Sequence, residues 1–284
     1  MSHRAALRLI LAVGLALLAA CAQVPGKPPP ARHAEAIEAN RRAELRFRDG
    51  DFEGAAQQYR EALRISQSIE DVDGIAANAI NLSIVYQRLG RHADARASLA
   101  PLLDQSGLSI PGARLAQAAL RRAVLDFDQR LYSDSGLWLE KAASWCAPER
   151  CAIAAAIDNV KGLLALDEGR SAAAAASARA ALEASLGSGN RIEEANARRL
   201  LGNVAIRAGD AAAAQAAFNA ALAIDRELAL PRKITLDLLG LGHASAPSAA
   251  RTYYERALAV SEADGDGPGA AQVRELIRAL DDKR

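Results

Sequence analysis

Histidines and cysteines are the residue types here with the most chemistry to offer, since they supply metal ligands, nucleophiles and proton carriers. The four histidines are His3, His33, His92 and His243, and their spacing does not suit a shared metal ion. No serine or cysteine lies in a nucleophile motif, there is no glycine-rich phosphate loop, and the carboxylates are scattered in helical charge patterns. We therefore predict no catalytic residues, no metal site and no cofactor, and we expect a protein that is not an enzyme.

The first cysteine follows an apolar segment near the N-terminus. Residues 9–20 form this segment behind Arg4 and Arg8, and it is too short for a permanent membrane-spanning helix. It ends in Leu18-Ala19-Ala20-Cys21, which resembles the lipobox of bacterial lipoproteins. The resemblance implies that residues 1–20 are a signal peptide and that lipidated Cys21 anchors the mature chain in a membrane through acyl chains such as palmitate. An ordinary signal peptide with a chance cysteine is the alternative.

The residues after Cys21 indicate where the anchor lies and how the chain leaves it. Ala22 stands where the inner-membrane retention signal of the best-known sorting system is Asp, so the resemblance implies the periplasmic face of the outer membrane. Residues 21–32 contain four prolines and a glycine, which favours a semi-extended tether. Removal of residues 1–20 would take two arginines and change the formal net charge from +1 to −1, so we expect no nucleic-acid partner.

The remaining cysteines, Cys146 and Cys151, are five positions apart. An exported chain lies in an oxidising compartment, so a disulfide between them is expected. Free thiols and a metal site are the alternatives, and no histidine or third cysteine nearby supports the metal site.

The rest of the chain repeats a turn at a fixed interval. The turns are Asp49-Gly50-Asp51, Leu89-Gly90-Arg91, Glu168-Gly169-Arg170 and Ala208-Gly209-Asp210. Their glycines are 40, 79 and 40 residues apart, so one turn is missing midway along the longer interval. The segments Arg130-Leu131-Tyr132 and Ala244-Ser245-Ala246-Pro247 supply the missing turn and a final degenerate one. The sequence therefore predicts six helical hairpins.

A pattern of small and large residues accompanies each turn. After the first turn, Ala55, Tyr59, Ala62 and Leu63 share one face of an α-helix by their spacing. The second unit repeats the pattern with Ala95, Leu99, Leu102 and Leu103. A small residue also recurs seven positions before each turn, at Ala43, Ser83, Ala123, Gly162 and Gly202, and Leu238 breaks this pattern in the last unit. Small residues at these positions let paired helices approach closely.

These positions resemble the tetratricopeptide repeat, although the interval near 40 exceeds its usual length of about 34. The usual Trp of the first helix and the closing Pro are mostly absent. The resemblance implies an all-α fold, a right-handed superhelical solenoid of about six such hairpins over residues 33–267. Residues 268–284 would form a capping helix and tail, because a solenoid needs a polar-backed helix to end the stack.

The resemblance also implies a concave groove lined by the first helix of each hairpin. The residues placed in this partner-binding groove are Asn40, Phe47, Ile84, Gln87, Arg121, Phe127, Asn159, Asn196, Arg199 and Asn203. Arg199 and Asn203 resemble the pair that grips a peptide's C-terminal carboxylate in some members. Leu236 stands where such clamps carry Asn, and the alternative is that these side chains satisfy neighbouring helices.

Together these features predict a membrane-anchored protein–protein interaction scaffold of the cell envelope. Its partner would be an envelope protein or peptide segment in an outer-membrane, pilus, secretion or export complex. The alternative function is a periplasmic binder of a small ligand or peptidoglycan fragment, which would need a closed pocket.

Overall fold

A computed structural model describes residues 30–104, 107–146 and 151–282, and every regular element in these ranges is an α-helix. The helices are α1 (Ala31–Arg48), α2 (Phe52–Ser68), α3 (Val72–Arg88), α4 (His92–Ala97), α5 (Ala100–Leu103), α6 (Gly112–Asp128), α7 (Tyr132–Trp145), α8 (Ala154–Asp167), α9 (Ser171–Ser188), α10 (Arg191–Arg207), α11 (Ala211–Glu227), α12 (Pro231–His243), α13 (Pro247–Ala263) and α14 (Gly267–Asp281). Alanine and leucine, the strongest helix formers, dominate the sequence of these elements. Within the described residues, none of these helices is both long and apolar enough to cross a bilayer.

The helices pack in chain order as six antiparallel hairpins followed by one further helix. The pairs are α1 with α2, α3 with α4 and α5, α6 with α7, α8 with α9, α10 with α11, and α12 with α13. The last helix, α14, packs on α13 and ends the stack. This arrangement confirms the all-α solenoid of six hairpins with a terminal capping helix.

The turn inside each of the first five hairpins uses a left-handed backbone conformation, and the turn of the sixth hairpin does not. Gly50, Gly90, Gly169 and Gly209 have φ angles between 70° and 78°, which glycine adopts without steric strain. The third turn has Arg130 in the same conformation with φ 58°, which explains why this turn carries no glycine signal. The 40-residue interval therefore marks a backbone conformation that recurs along the chain, with or without glycine.

The second helix of the second hairpin departs from the predicted continuous face. It is broken into α4 and α5, because Pro101 cannot donate a backbone hydrogen bond in the interior of a helix. Leu99, in the break, and Leu102, after it, are nevertheless buried, so the apolar face persists although the helix is interrupted.

Close helix approach inside the hairpins depends on the small residues found in the sequence. A Cβ atom added to Gly202 would lie 2.8 Å from the ring of Phe218 on the paired helix. Leu238 is buried at the equivalent position of the last hairpin, and the ring of Tyr254 lies instead against Gly242, one helical turn further along. The break in the small-residue pattern therefore moves the close contact by one turn.

The two ends of the solenoid approach each other, which the sequence did not predict. A cavity of about 470 Å³ is lined by Phe47, Arg48, Asp49, Gly50, Phe52 and Arg88 from the first two hairpins and by Arg232, Asp264 and Gly265 from the last part of the chain. Arg232 is 3.4 Å from both Asp264 and Asp266. Burial and the nearby Arg232 guanidinium lower the pKa of Arg88. The first two hairpins and the last part of the chain therefore line one shared cavity.

Candidate functional site

The concave face carries an apolar depression between the first helices of the second and third hairpins. Its volume is about 420 Å³, and it is lined by Ala77, Ile80, Asn81, Gln117, Leu120, Arg121 and Val124. Ile80, Leu120 and Val124 are only partly buried by the fold, so apolar side-chain surface remains available there. This depression could take apolar side chains from a bound segment.

Arg121 borders this depression and is held in place from behind. Its Nε donates to the Ser83 hydroxyl at 2.7 Å, and its Nη2 donates to the Ser83 carbonyl at 3.0 Å and to Gln87 Oε1 at 2.5 Å. Gln87 in turn donates to Asp128. The predicted groove residues Gln87 and Arg121 are therefore brought together, and Ile84 lies one turn before Gln87 on the same helix.

Desolvation acts on both charged ends of this chain of hydrogen bonds. Burial lowers the pKa of Arg121 to about 10. Asp128 is exposed to solvent but partly desolvated by the surrounding protein. This desolvation raises the pKa of Asp128, and the nearby Arg121 charge opposes the shift. The concave face here is a low-dielectric environment in which a charge–charge contact is stronger than on an open surface.

The predicted residues of the first hairpin lie apart from this depression. Asn40 donates to Asn78 Oδ1 at 2.6 Å, which links the first two hairpins. Phe47 packs edge-on against Phe52, with ring centroids 5.3 Å apart, in the cavity where the two ends of the solenoid meet.

Two further predicted residues contribute to packing in the middle of the chain. Phe127 stacks at a tilt on Tyr132, with ring centroids 5.9 Å apart. Asn159 is 4% exposed and donates to the Glu193 carboxylate at 2.8 Å, while its own Oδ1 has no partner among the described residues. Asn159 thus joins the fourth hairpin to the fifth.

Arg199 is engaged by two carboxylates from other helices. Its Nε donates to Asp237 at 2.7 Å, its Nη2 donates to Asp225, and both aspartates are fully buried. Asn196 accepts from Arg199 at 3.0 Å and from Lys233 at 2.5 Å. These contacts correspond to the alternative in which the side chain satisfies its neighbours. The role of Arg199 in partner binding stays a prediction.

Asn203 lies one turn beyond Arg199 and is half-buried. Its side chain makes no hydrogen bond with any residue that the structure describes. The structure therefore places the two members of the predicted clamp on one helix but gives them different environments.

The buried pair of aspartates was missed by the sequence analysis. Asp225 lies three positions after Leu222 on the face that also carries Ala214 and Phe218, so the helical period could have identified it as a buried acid. Asp237 has no comparable signal, since it sits in the last hairpin, whose pattern is irregular. Each aspartate keeps one oxygen without a hydrogen-bond partner among the described residues, namely Asp225 Oδ1 and Asp237 Oδ2.

Burial raises the pKa of Asp237 to about 7; Arg199 opposes the shift and the adjacent Asp225 carboxylate adds to it. Burial and the Arg199 charge lower the pKa of the neighbouring Lys233. An unfolded aspartate titrates near pH 4, so the folded state binds the extra proton between about pH 4 and about pH 7. The contribution of Asp237 to the free energy of unfolding therefore falls as pH rises through this window and is constant above it.

We expect Asp237→Asn to remove this contribution. The free energy of unfolding of the wild type minus that of the variant should be larger near pH 5 than near pH 8. Urea denaturation of both proteins at the two pH values measures this difference. A stability difference that is the same at both pH values would show that Asp237 does not take up a proton on folding.

The two cysteines between the third and fourth hairpins are joined in the structure. Cys146 follows α7, Cys151 precedes α8, their Cα atoms are 5.1 Å apart, and the sulfur atoms are bonded. Cys146 and Trp145 also line a depression with Gln117, so the disulfide borders the concave face near the apolar depression.

Replacing Cys146 with Ser is expected to lower the free energy of unfolding by about 2 kcal/mol, because the closed loop is short. Chemical denaturation with and without a reductant provides the measurement. Reductant should destabilise the wild type and leave the variant unchanged. A wild type that is insensitive to reductant would contradict a stabilising role for the bond.

The predicted lipidation site stays a prediction. Cys21 and the signal peptide lie outside the described residues. Within residues 30–104, 107–146 and 151–282, no group of three or more histidine, cysteine or acidic side chains is placed to hold a metal ion.

Comparisons with known proteins agree on the fold. Residues 33–100 match the tetratricopeptide repeat family model, and no curated protein matches the chain. A Rap protein complexed with competence and sporulation factor has a TM-score of 0.58 at 14% identity, over 87% of this chain and 71% of that one. A signal transduction ATPase with a tetratricopeptide repeat sensor from Pyrococcus horikoshii has a TM-score of 0.59 at 13% identity, over 84% of this chain and 37% of that one.

PilW, described as a widely conserved type IV pilus biogenesis factor, has a TM-score of 0.52 at 16% identity. The match covers 84% of this chain and 97% of PilW. At these identities the likeness is one of backbone arrangement, and it establishes a tetratricopeptide-repeat fold.

Proposed function

We propose that the chain is a lipid-anchored scaffold of the bacterial cell envelope whose concave face holds a segment of a partner protein. The apolar depression between α3 and α6 carries this proposal, because partly exposed Ile80, Leu120 and Val124 meet there on the concave face. Apolar side chains exposed along such a groove can receive the apolar face of a single amphipathic helix or an extended segment.

The sequence of the N-terminus supports the anchor. The apolar residues 9–20 end at Cys21 in the pattern of a lipobox, and Ala22 favours the outer membrane. The Pro-rich residues 21–32 would then separate the solenoid from the lipid surface. The likeness to PilW over nearly its whole length is compatible with a role in assembling a pilus, secretion or export complex.

The binding proposal is tested with a photoactivatable amino acid placed at Leu120 in the full chain, expressed in the cells from which it comes. Leu137 provides the matched control, because its side chain is 58% exposed and it does not line the concave depression. We expect a discrete crosslinked protein from position 120 that is absent from position 137. Equal crosslinking from both positions would contradict a groove-bound partner.

The anchoring proposal predicts that Cys21→Ser releases the protein from the membrane fraction. Without the thiol no diacylglyceryl group can be attached, and the acyl chains that hold the chain to the bilayer are lost. Fractionation followed by mass spectrometry of the N-terminal peptide measures both the location and the added lipid mass. Cys146→Ser serves as the control, since it removes a cysteine outside the N-terminal segment. Membrane retention of Cys21→Ser would contradict lipid anchoring at this residue.

A further inference from the structure

The cavity shared by the first two hairpins and the last part of the chain brings together charges of both signs. Arg48 and Arg88 reach it from the first two hairpins. Arg232 and Asp264 reach it from the last part of the chain, and the nearby Asp266 shares Arg232 with Asp264. Cations and carboxylates thus surround one space of about 470 Å³, which lies within the range of small-ligand sites, roughly 300–1,000 Å³.

Arg88 lacks a direct partner for its charge. In the part of the chain that the structure describes, its side chain makes no hydrogen bond and has no acidic group at ion-pair distance. Burial is the largest cause of its lowered pKa, the like charge of Arg232 adds to the shift, and the carboxylates of Asp266 and Asp264 oppose it. These carboxylates are therefore near Arg88 without pairing with it, which leaves a place for the carboxylate of a ligand.

The carboxylates around the cavity can accept further hydrogen bonds. The separations of 3.4 Å between Arg232 and its two aspartates exceed the distance of about 2.7–2.9 Å in a strong charge-assisted hydrogen bond. Asp264 accepts no hydrogen bond from any residue that the structure describes. Asp49 also lines the cavity, and no described cation lies at ion-pair distance from it. An ammonium group, which offers three donors, suits such a set of carboxylates.

Two aromatic rings supply an apolar part of the lining. Phe47 and Phe52 pack edge-on with ring centroids 5.3 Å apart, and both are only partly buried. Gly50 and Gly265 also line the cavity, and a Cβ atom added to either would meet no other atom within 4 Å. The cavity therefore has room beside the rings for an apolar group of a ligand.

We infer that this cavity binds a free α-amino acid with an apolar side chain. In the complex the ligand carboxylate lies against Arg88, its ammonium lies against Asp264, and its side chain lies on the two phenylalanine rings. A simple anion or cation fits less well, because the three arginines and three aspartates around the cavity have no net formal charge. This site is separate from the proposed concave-face partner site and does not depend on it.

The test measures the binding of L-leucine and L-phenylalanine to the full chain in detergent by isothermal titration calorimetry. N-acetyl-L-leucine lacks the ammonium, L-leucinamide lacks the carboxylate, and glycine lacks the apolar side chain. We expect each of these three controls to bind at least about tenfold more weakly than L-leucine, because each leaves part of the site without its partner. Equal binding of L-leucine, its amide and its acetyl derivative would overturn the inference, and so would a lack of binding of both amino acids.

Variants then assign the binding to this cavity. Arg88→Gln removes the cation that receives the carboxylate, and Asp264→Asn removes the carboxylate that receives the ammonium. Each should weaken the binding of L-leucine by roughly ten- to a hundredfold. Arg60→Gln and Asp73→Asn are the matched controls, since Arg60 is exposed, the side chain of Asp73 is 75% exposed, and neither residue lines the cavity.

Circular dichroism checks that each variant is folded, and the comparison of ligands on the wild type does not depend on the variants. Unchanged binding by either Arg88→Gln or Asp264→Asn would overturn the inference. Crosslinking from Leu120 is measured separately, so the loss of this site would leave the proposed function standing.

Discussion

Replacing Arg199 with Met is expected to lower the free energy of unfolding by roughly 3–5 kcal/mol. The guanidinium is the cation hydrogen-bonded to both Asp225 and Asp237, two carboxylates with no exposed surface. These residues come from three helices of the fifth and sixth hairpins, so their contacts join neighbouring repeats. Removing one partner leaves buried charge without compensation, which is far more destabilising than losing a surface ion pair.

Arg64→Met provides the control, since Arg64 pairs with Glu61 on the surface and both side chains are largely exposed. Its expected effect lies within about 0.5 kcal/mol. Adding Asp225→Asn and Asp237→Asn to the Arg199→Met variant should recover part of the loss, because the uncompensated charges are then removed. Urea denaturation of the series measures these differences. Equal effects of Arg199→Met and Arg64→Met would show that Arg199 is not the counterion of a buried pair.

The overall fold could be predicted from the sequence because its signals are local and repeated. A turn glycine such as Gly50 and the small–large spacing of Ala55 and Tyr59 recur at nearly constant intervals, so each occurrence supports the others. Even the missing glycine was located correctly, since the chain takes the same left-handed conformation at Arg130. The break between α4 and α5 was not predicted, although Pro101 was a visible cause of it.

The details of the candidate site were harder to predict because they depend on contacts between hairpins. The sequence placed Arg121 and Gln87 in one groove, and the structure adds that they are hydrogen-bonded to each other. The sequence could not show that Arg199 would pair with Asp237, on the first helix of the following hairpin. Nor could it show that Arg121 would donate to uncharged acceptors instead. These differences arise from side-chain geometry across the interface rather than from spacing along one helix.

The approach of the two solenoid ends could not be predicted from the sequence for a different reason. It results from a small rotation between successive hairpins, which accumulates over the whole chain. The placement of Arg48 and Arg88 in one cavity with Asp264 therefore has no local signal. The cavity that residues from both ends line follows from this accumulated geometry.

Replacing Phe218 with Ala is expected to lower the free energy of unfolding by about 3–5 kcal/mol, as measured by urea denaturation. Phe218 is 1% exposed and lies between Gly202 of α10 and Gly240 of α12. Both neighbours lack a side chain that could move into the space left by the ring. The cavity would thus remain largely unfilled, which places the expected loss at the upper part of the range for large-to-small substitutions.

The contact between Phe218 and Gly240 predicts that the effect of Gly240→Ala on stability reverses its sign when Phe218 is replaced by Ala. A Cβ atom there would lie 2.3 to 2.5 Å from the ring of Phe218, so Gly240→Ala should destabilise the wild type by about 1–3 kcal/mol. In the Phe218→Ala background the clash is gone, and the substitution should stabilise by up to about 1 kcal/mol, as Ala does in a helix interior. Gly187→Ala is the matched control, because Gly187 is helical with no other atom within 4 Å of an added Cβ, and it should stabilise both backgrounds equally. An effect of Gly240→Ala with the same sign in both backgrounds would mean that Phe218 does not fill the space between the two glycines, and that the fifth and sixth hairpins are held together in another way.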